Sequence, residues 1–298
     1  MINNSQFVLG TAQLGMPYGI ANRTGQPSIE TAREIVLTAW INGICEFDTA
    51  QAYGQSENIL GHIFEDLKIS DQVNITTKPH PELNHLDKEC MKQALEESLG
   101  RLHAKKLHCI MLHGEDLLDL WEKGLFEILE SFVREGLVGH IGVSVYSPQR
   151  ALQAIRTKGI QIVQLPANIL DRRFEKAGVF ELAVEHGKEI YVRSVFLQGL
   201  LLMKPEDLPT QMTTAKPVLE ELWSIAAQNK VTVRCLALGY IKATKPKAKI
   251  VIGVEQVSQL HEIINDLKIE LQPDTLREIT KEFHNIDENI INPVLWRR

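Results

Sequence analysis

An α/β fold closed into a (β/α)8 barrel is what this chain predicts, and three observations predict it. Short β-branched runs alternate with longer segments of helical periodicity from one end to the other, the pattern of repeated βα units around a parallel sheet. Eight such units can be counted, which favours a closed barrel, although an open doubly wound sheet also reads as alternating β and α. The length of 298 residues suits one barrel, and no seam in composition divides it, so a single domain over 1–298 is expected.

The strand candidates, in order, are Leu9–Gln13, Ile44–Asp48, Val73–Lys78, Leu107–His113, Val138–Ser144, Ile162–Pro166, Glu189–Arg193 and Ile250–Val254. Between them lie helix candidates at Ile29–Asn42, Asp87–Leu102, Leu125–Glu135, Pro148–Thr157, Phe174–His186, Pro217–Gln228 and Val257–Leu267. Ser147-Pro148 reads as an N-cap followed by a first-turn proline, and Asp87 opens a helix that carries Met91, Leu95, Leu99 and Leu102 on one face. Gly136 and Gly187 fall where helices should stop. Two segments exceed what connection needs: Phe196–Lys216, read as cover for a substrate, and the tail Ile286–Arg298.

Composition narrows the function classes. The chain is 44% apolar and 23% charged with a net charge of −6, so nothing draws it to nucleic acid or anionic lipid. The opening Met1-Ile2-Asn3-Asn4-Ser5-Gln6 is polar and reads as neither a secretory signal nor an anchor, and a cytoplasmic protein is expected. Cys45, Cys90, Cys109 and Cys235 are far apart, which fits reduced thiols and no metal site. Gly10 to Gly15 has the outer glycines of a phosphate loop but Met16 where lysine should stand, and no G-x-G-x-x-G follows a strand. Lys242, Lys245, Lys247 and Lys249 precede the last strand and read as a solvated connection, with His103 and His108 structural or at the surface of the same end. His80 and His85, in the loop after the third strand, are not expected to line a pocket.

Chemistry concentrates at strand ends. Ile44-Cys45-Glu46-Phe47-Asp48 ends in a carboxylate with Tyr53 just beyond, and the next two strands end in Lys78 and His113. In a barrel these converge on one mouth with Ser144, Gln164 and Arg193. An acid, a phenol, an ammonium and an imidazole there can move a proton. Taken singly, Asp48 reads as a turn cap, Tyr53 as packing, Lys78 as a surface charge and His113 as a loop histidine; four such coincidences on successive strands favour a site.

With these residues in place the chain resembles the aldo-keto reductase superfamily. The match runs over nearly the whole chain: Leu9-Gly10-Thr11-Ala12-Gln13-Leu14-Gly15, Phe47-Asp48-Thr49-Ala50 with Tyr53-Gly54 and Glu57, Thr77-Lys78, Leu112-His113, Ile141-Gly142-Val143-Ser144, and Gln164. The resemblance implies a TIM barrel that binds NAD(P)(H) and interconverts a small-molecule carbonyl and an alcohol by direct hydride transfer. It assigns proton transfer to Tyr53, charge support of the phenolate to Lys78, aiming of Lys78 to Asp48, and orientation of the substrate oxygen to His113. Gly10, Thr11, Ser144, Gln164, Arg193, Ser194, Phe196, Gln198, Gly199, Gly253, Glu255 and Gln259 are the expected cofactor contacts.

Three departures matter. Val145 stands where the family often has asparagine, and Arg193 where it often has a tyrosine stacked on nicotinamide; a guanidinium can stack too, but repels the oxidised, cationic ring. Glu255 in the loop after the last strand would repel a 2′-phosphate and accept from a ribose diol, so NAD is expected to be tolerated or preferred. The first loop, Met16 to Gly25, with Arg172 and Arg173 after the sixth strand, suits a sugar-derived substrate. Two other readings stand beside these: a cofactor-binding regulatory barrel without turnover, and a lyase using Lys78 as a Schiff-base nucleophile. Reaction direction and oligomeric state have no marker in the residues.

Overall fold

The structure is a computed structural model and describes residues 6–296. The reading of the opening segment up to Ser5, and that of the tail at Arg297 and Arg298, fall outside the described residues. Eight parallel strands close in sequence order: β1 (Phe7–Gly10), β2 (Glu46–Asp48), β3 (Asn74–Thr77), β4 (Leu107–Leu112), β5 (Val138–Ser144), β6 (Ile162–Pro166), β7 (Glu189–Arg193) and β8 (Lys249–Gly253). The barrel shuts where β1 pairs with β8, Gly10 beside Gly253. No helix among the described residues is long and apolar enough to cross a membrane.

Strand alternation builds two cores. Outward residues such as Leu9, Phe47, Ile75, Ile110, Val143 and Val163 pack against the surrounding helices in one large apolar layer. Inside, Val8, Cys109, Met111, Ile162 and Tyr191 form a separate cluster that fills the barrel, with Val251 against it. Two residues further along four of these strands come Gly10, Gln164, Arg193 and Gly253, which therefore point inward at the C-terminal mouth.

The helix signals act as read. Asp87 accepts from the Glu89 and Cys90 amides, and Ser147 accepts from Arg150 with Pro148 in the first turn. Gly136 and Gly187 take the left-handed conformation that ends a helix, at φ 76° and 63°. Elsewhere the boundaries shift. The expected strand Leu9–Gln13 is cut at Gly10, and Ala12–Gly15 turns helical instead. The expected helix Phe174–His186 is two, Arg173–Lys176 and Val179–Glu185, because Gly178 breaks it at φ 72°. Helices Ser56–Leu67, Val233–Thr244 and Pro273–Glu282 have no counterpart among the helix candidates.

One reading of the N-terminal end is corrected. Lys245 is buried and paired with Glu175 at 3.1 Å, and Lys249 pairs with Glu46 at 2.7 Å, so half of the lysine run is structural, not a solvated connection. The Phe196–Lys216 segment is ordered as three turns, Leu197–Leu202, Pro205–Asp207 and Thr210–Ala215, with Leu197, Leu200 and Leu201 buried.

Candidate active site

Asp48 ends β2 at the mouth and is the hub of the site. One carboxylate oxygen accepts from Lys78 Nζ at 2.6 Å and the other from Gln164 Nε2 at 2.8 Å. Lys78 is fully enclosed and also donates to the Thr49 carbonyl at 3.2 Å. The amine is thus buried in an ion pair and committed to two acceptors. That enclosure argues against the free, neutral amine a Schiff-base lyase needs.

Tyr53 lies over this pair. Lys78 Nζ is 5.2 Å from its ring centroid, and His113 meets it edge-on with centroids 5.7 Å apart. Its loop is fixed from below: the Ser56 amide donates to the Tyr53 carbonyl, and the Ser56 hydroxyl is held by Thr11, which itself donates to the Asp48 carbonyl. Gly15 lets the first loop lie against it, since a Cβ there would fall 1.9 Å from the Tyr53 carbonyl oxygen.

Electrostatics set the protonation states. Burial, and after it the charge of Asp48, pushes the Tyr53 phenol well above its ordinary value, with Arg193 pulling the other way. Burial thus opposes the phenolate in the free site and favours the protonated hydroxyl that a proton donor starts from. His113 is pushed down to about 4 by burial and by Lys78 and Arg193, against Asp48, so the imidazole is neutral at physiological pH. Its Nδ1 is buried with no hydrogen-bond partner.

Asp48 and Tyr53 border a cleft of about 270 Å³ that runs from them across the mouth to Glu255, Gln259 and Ile263 after β8. Gly10, Thr11, Gln164, Arg193, Ser194, Phe196, Gln198, Gly199 and Gly253 also line it. Lys78, His113 and Ser144 stand behind the lining residues: Lys78 lies beneath, His113 meets Tyr53 edge-on, and Ser144 is buried beside Gln164 in the β5–β6 ladder. Gln259 is already engaged, accepting from the Glu255 and Gln256 amides to cap the helix Val257–Asp266.

Sequence reading missed four parts of the wall. Gln13 covers Gly253, where a Cβ would fall 2.5 Å from its side-chain oxygen, and was read as strand. Arg234 comes from an unrecognised helix and is held by Glu262 and Asp266. Tyr18 and Asn22 belong to the first loop, which was read as lying beside the mouth without naming which side chains face in. That loop bridges the cleft: the Ile20 amide donates to the Gln198 carbonyl at 3.1 Å, and Thr24 bonds the Glu255 side chain. Arg172 and Arg173, read as substrate-facing, are instead tied to Glu175, Asp171 and Glu288, away from this cleft. His80 and His85 stay off the wall, as expected.

The model of the aldo/keto reductase family matches residues 6–282. The chain belongs to the aldo-keto reductase family. It is similar to a probable aldo-keto reductase 1 of Glycine max, 25% identical over 268 residues, covering 82% of this chain and 77% of that one. It is also similar to a chloroplastic pyridoxal reductase of Arabidopsis thaliana, 26% identical over 276 residues, covering 83% and 74%. In fold it matches the aldo-keto reductase AKR11C1 from Bacillus halodurans, in its holo form, with a TM-score of 0.76 and 22% identity over 93% of this chain and 91% of that one. Aldo-keto reductases use NAD(P)H to reduce small-molecule carbonyl compounds, and membership makes this chain an oxidoreductase of that kind.

The cleft suits such a cofactor. It runs across the whole mouth and presents Gly10 and Gly199 beside the polar side chains of Ser194 and Gln198.

Proposed function

We propose that this chain interconverts a carbonyl and an alcohol with Tyr53 as the proton donor in reduction and acceptor in oxidation, on a substrate derived from a sugar. The observation that carries the reading is the buried Asp48–Lys78 pair lying directly under the Tyr53 ring, at one end of a long cleft. When bound, the reduced nicotinamide supplies the hydride. The neutral His113 donates a hydrogen bond to the substrate oxygen as negative charge grows there. Tyr53 completes the alcohol by giving its proton to that oxygen, and the Lys78 ammonium stabilises the phenolate left behind. Asp48 keeps Lys78 charged and aimed, and Gln164 holds Asp48.

Gly10, Thr11, Ser194, Phe196, Gln198, Gly199, Gly253 and Glu255 would hold the cofactor along the cleft, with Ser144, Gln164 and Gln259 supporting its two ends from behind. Glu255 favours a ribose diol over a phosphate, so NAD(H) binds at least as well as NADP(H). Tyr18 lines the cleft from the first loop, and Asn22 holds that loop by donating to the Gly25 carbonyl and accepting from the Thr24 and Gly25 amides; this polar wall supports the sugar-derived substrate. The test is Tyr53→Phe assayed over a panel of sugar and apolar aldehydes: turnover collapses while cofactor affinity persists. Undiminished turnover removes the role of Tyr53, reaction of apolar aldehydes alone removes the sugar, and NADPH binding far tighter than NADH removes the role of Glu255.

A further inference from the structure

Among the described residues, four charged side chains line the cleft, Asp48, Arg193, Arg234 and Glu255, and Glu255 stands at the far end with Thr24 bonded to it. Lys78 is paired with Asp48. Arg234 is paired with Glu262 at 2.7 Å and with Asp266 at 2.6 Å. Asp48 is saturated by Lys78 and Gln164. Arg193, at the end of β7, has no carboxylate within ion-pair distance; its terminal nitrogens make only two long bonds, to the Val145 carbonyl at 3.3 Å and to the Ser194 hydroxyl at 3.4 Å. The nearby Glu115 does not serve it, because that carboxylate is engaged by the Tyr146 and Ser147 amides and the Ser147 hydroxyl.

The guanidinium is nonetheless held in place. Its carbon lies 4.4 Å from the centroid of the Tyr146 ring, a face-on cation–π contact, and Tyr146 is fixed through its backbone by Glu115. Stacking occupies one face of the plane and leaves the fork of N–H donors along its edge. Arg193 lines the same cleft as Tyr53, and its charge acts on both Tyr53 and His113, the two groups that meet the reacting oxygen.

We propose that Arg193, backed by Tyr146, receives a carboxylate carried by the substrate, so that the preferred compound is an oxo acid or its hydroxy-acid counterpart. The proposal rests on the carbonyl-reducing reading above and names its substrate class. A planar carboxylate matches a guanidinium fork with two parallel hydrogen bonds. One unpaired cation balances a single negative charge, whereas a phosphate dianion would leave one uncompensated in a half-buried cleft. The carboxylate fixes the molecule at a second point, which orients the carbonyl between Tyr53 and His113.

The experiment compares 4-oxobutanoate with its neutral methyl ester, using NADH and NADPH, in the wild-type chain and in Arg193→Gln and Arg193→Lys. The wild type favours the acid over the ester in kcat/KM. Arg193→Gln lowers that acid-to-ester ratio by about 10- to 100-fold, the range for losing a charge-assisted hydrogen-bonded pair, and Arg193→Lys lowers it by less. A ratio equal in wild type and Arg193→Gln overturns the proposal, as does a variant that loses cofactor affinity while keeping the ratio. Succinate binding, read as a rise in Tm, is measured without cofactor or turnover: it stabilises the wild type and not Arg193→Gln. If no carbonyl is reduced but succinate discriminates, the function reading fails and the anion site stands; equal stabilisation of both proteins sinks the site whatever the turnover.

Discussion

The two ends of the barrel are built from the same four kinds of side chain. At the C-terminal mouth stand Asp48, Lys78, Tyr53 and His113; at the N-terminal end stand Glu46, Lys249, Tyr191 and His108. The difference lies in who holds the carboxylate. Below, Tyr191 donates its hydroxyl straight to Glu46, Lys249 binds the same acid at 2.7 Å, and burial with the Glu46 charge drives the phenol pKa far up. Above, the acid is taken by Lys78 and Gln164, and the phenol is left facing a cleft. Residue types do not make a site; their setting beside a cavity does.

Breaking each phenol should separate the ends most sharply. Tyr53→Phe is expected to lower kcat by about 10²- to 10⁴-fold with little change in stability, the range for losing a general acid. Tyr191→Phe is expected to leave turnover within a few-fold. A Tyr191→Phe enzyme as dead as Tyr53→Phe would erase the distinction.

Removing the cations tests the same contrast in stability. Lys78→Met strands a buried carboxylate with only Gln164 to hold it and should cost about 3–5 kcal/mol in denaturant unfolding as well as turnover. Lys249→Met should cost less, because Glu46 keeps Tyr191 and Lys249 is more exposed than Lys78. Tyr191→Phe should come next at about 1–3 kcal/mol, the cost of leaving a buried acceptor short of a donor.

The smallest effect is a pH slope. The folded state holds His113 at about 4, against 6.5 for an ordinary histidine, chiefly by burial and then by Lys78, with Arg193 and His80 adding and Asp48 opposing. The unfolded chain therefore binds more protons between those values, and stability is lost as pH falls from about 6.5 to about 4. One group contributes at most about 1.4 kcal/mol per pH unit. His113→Gln should flatten that acid limb, and an unchanged limb would assign it to other groups such as His108, which burial also lowers.

Much of this was legible because strands announce themselves by alternation and end where a polar residue follows. The eight strands, the residues at their ends and the caps at Asp87, Ser147, Gly136 and Gly187 rest on such local signals. What was hidden depends on partners far along the chain. Nothing near Lys249 says that it meets Glu46, 203 residues away, or near Arg172 that its neighbours are Glu175 and the Thr280 carbonyl. Likewise Gln13 was assigned to a strand because the run before it is apolar, and only the closure of β1 on β8 sets it over Gly253. The burial of the phenol is of the same kind, for the sequence names its charged neighbours and not its desolvation.

β2 carries Glu46 and Asp48 with Phe47 between them, and Phe47 packs outward on Phe64 with ring centroids 4.8 Å apart. A slip of one residue in pairing would turn the bulky ring into the filled lumen and drive both acids into the oily shell, away from either amine. The two carboxylates thus act as detents on a ratchet: while the sheet is zipping up, they reject each slip of that short strand by an odd number of residues.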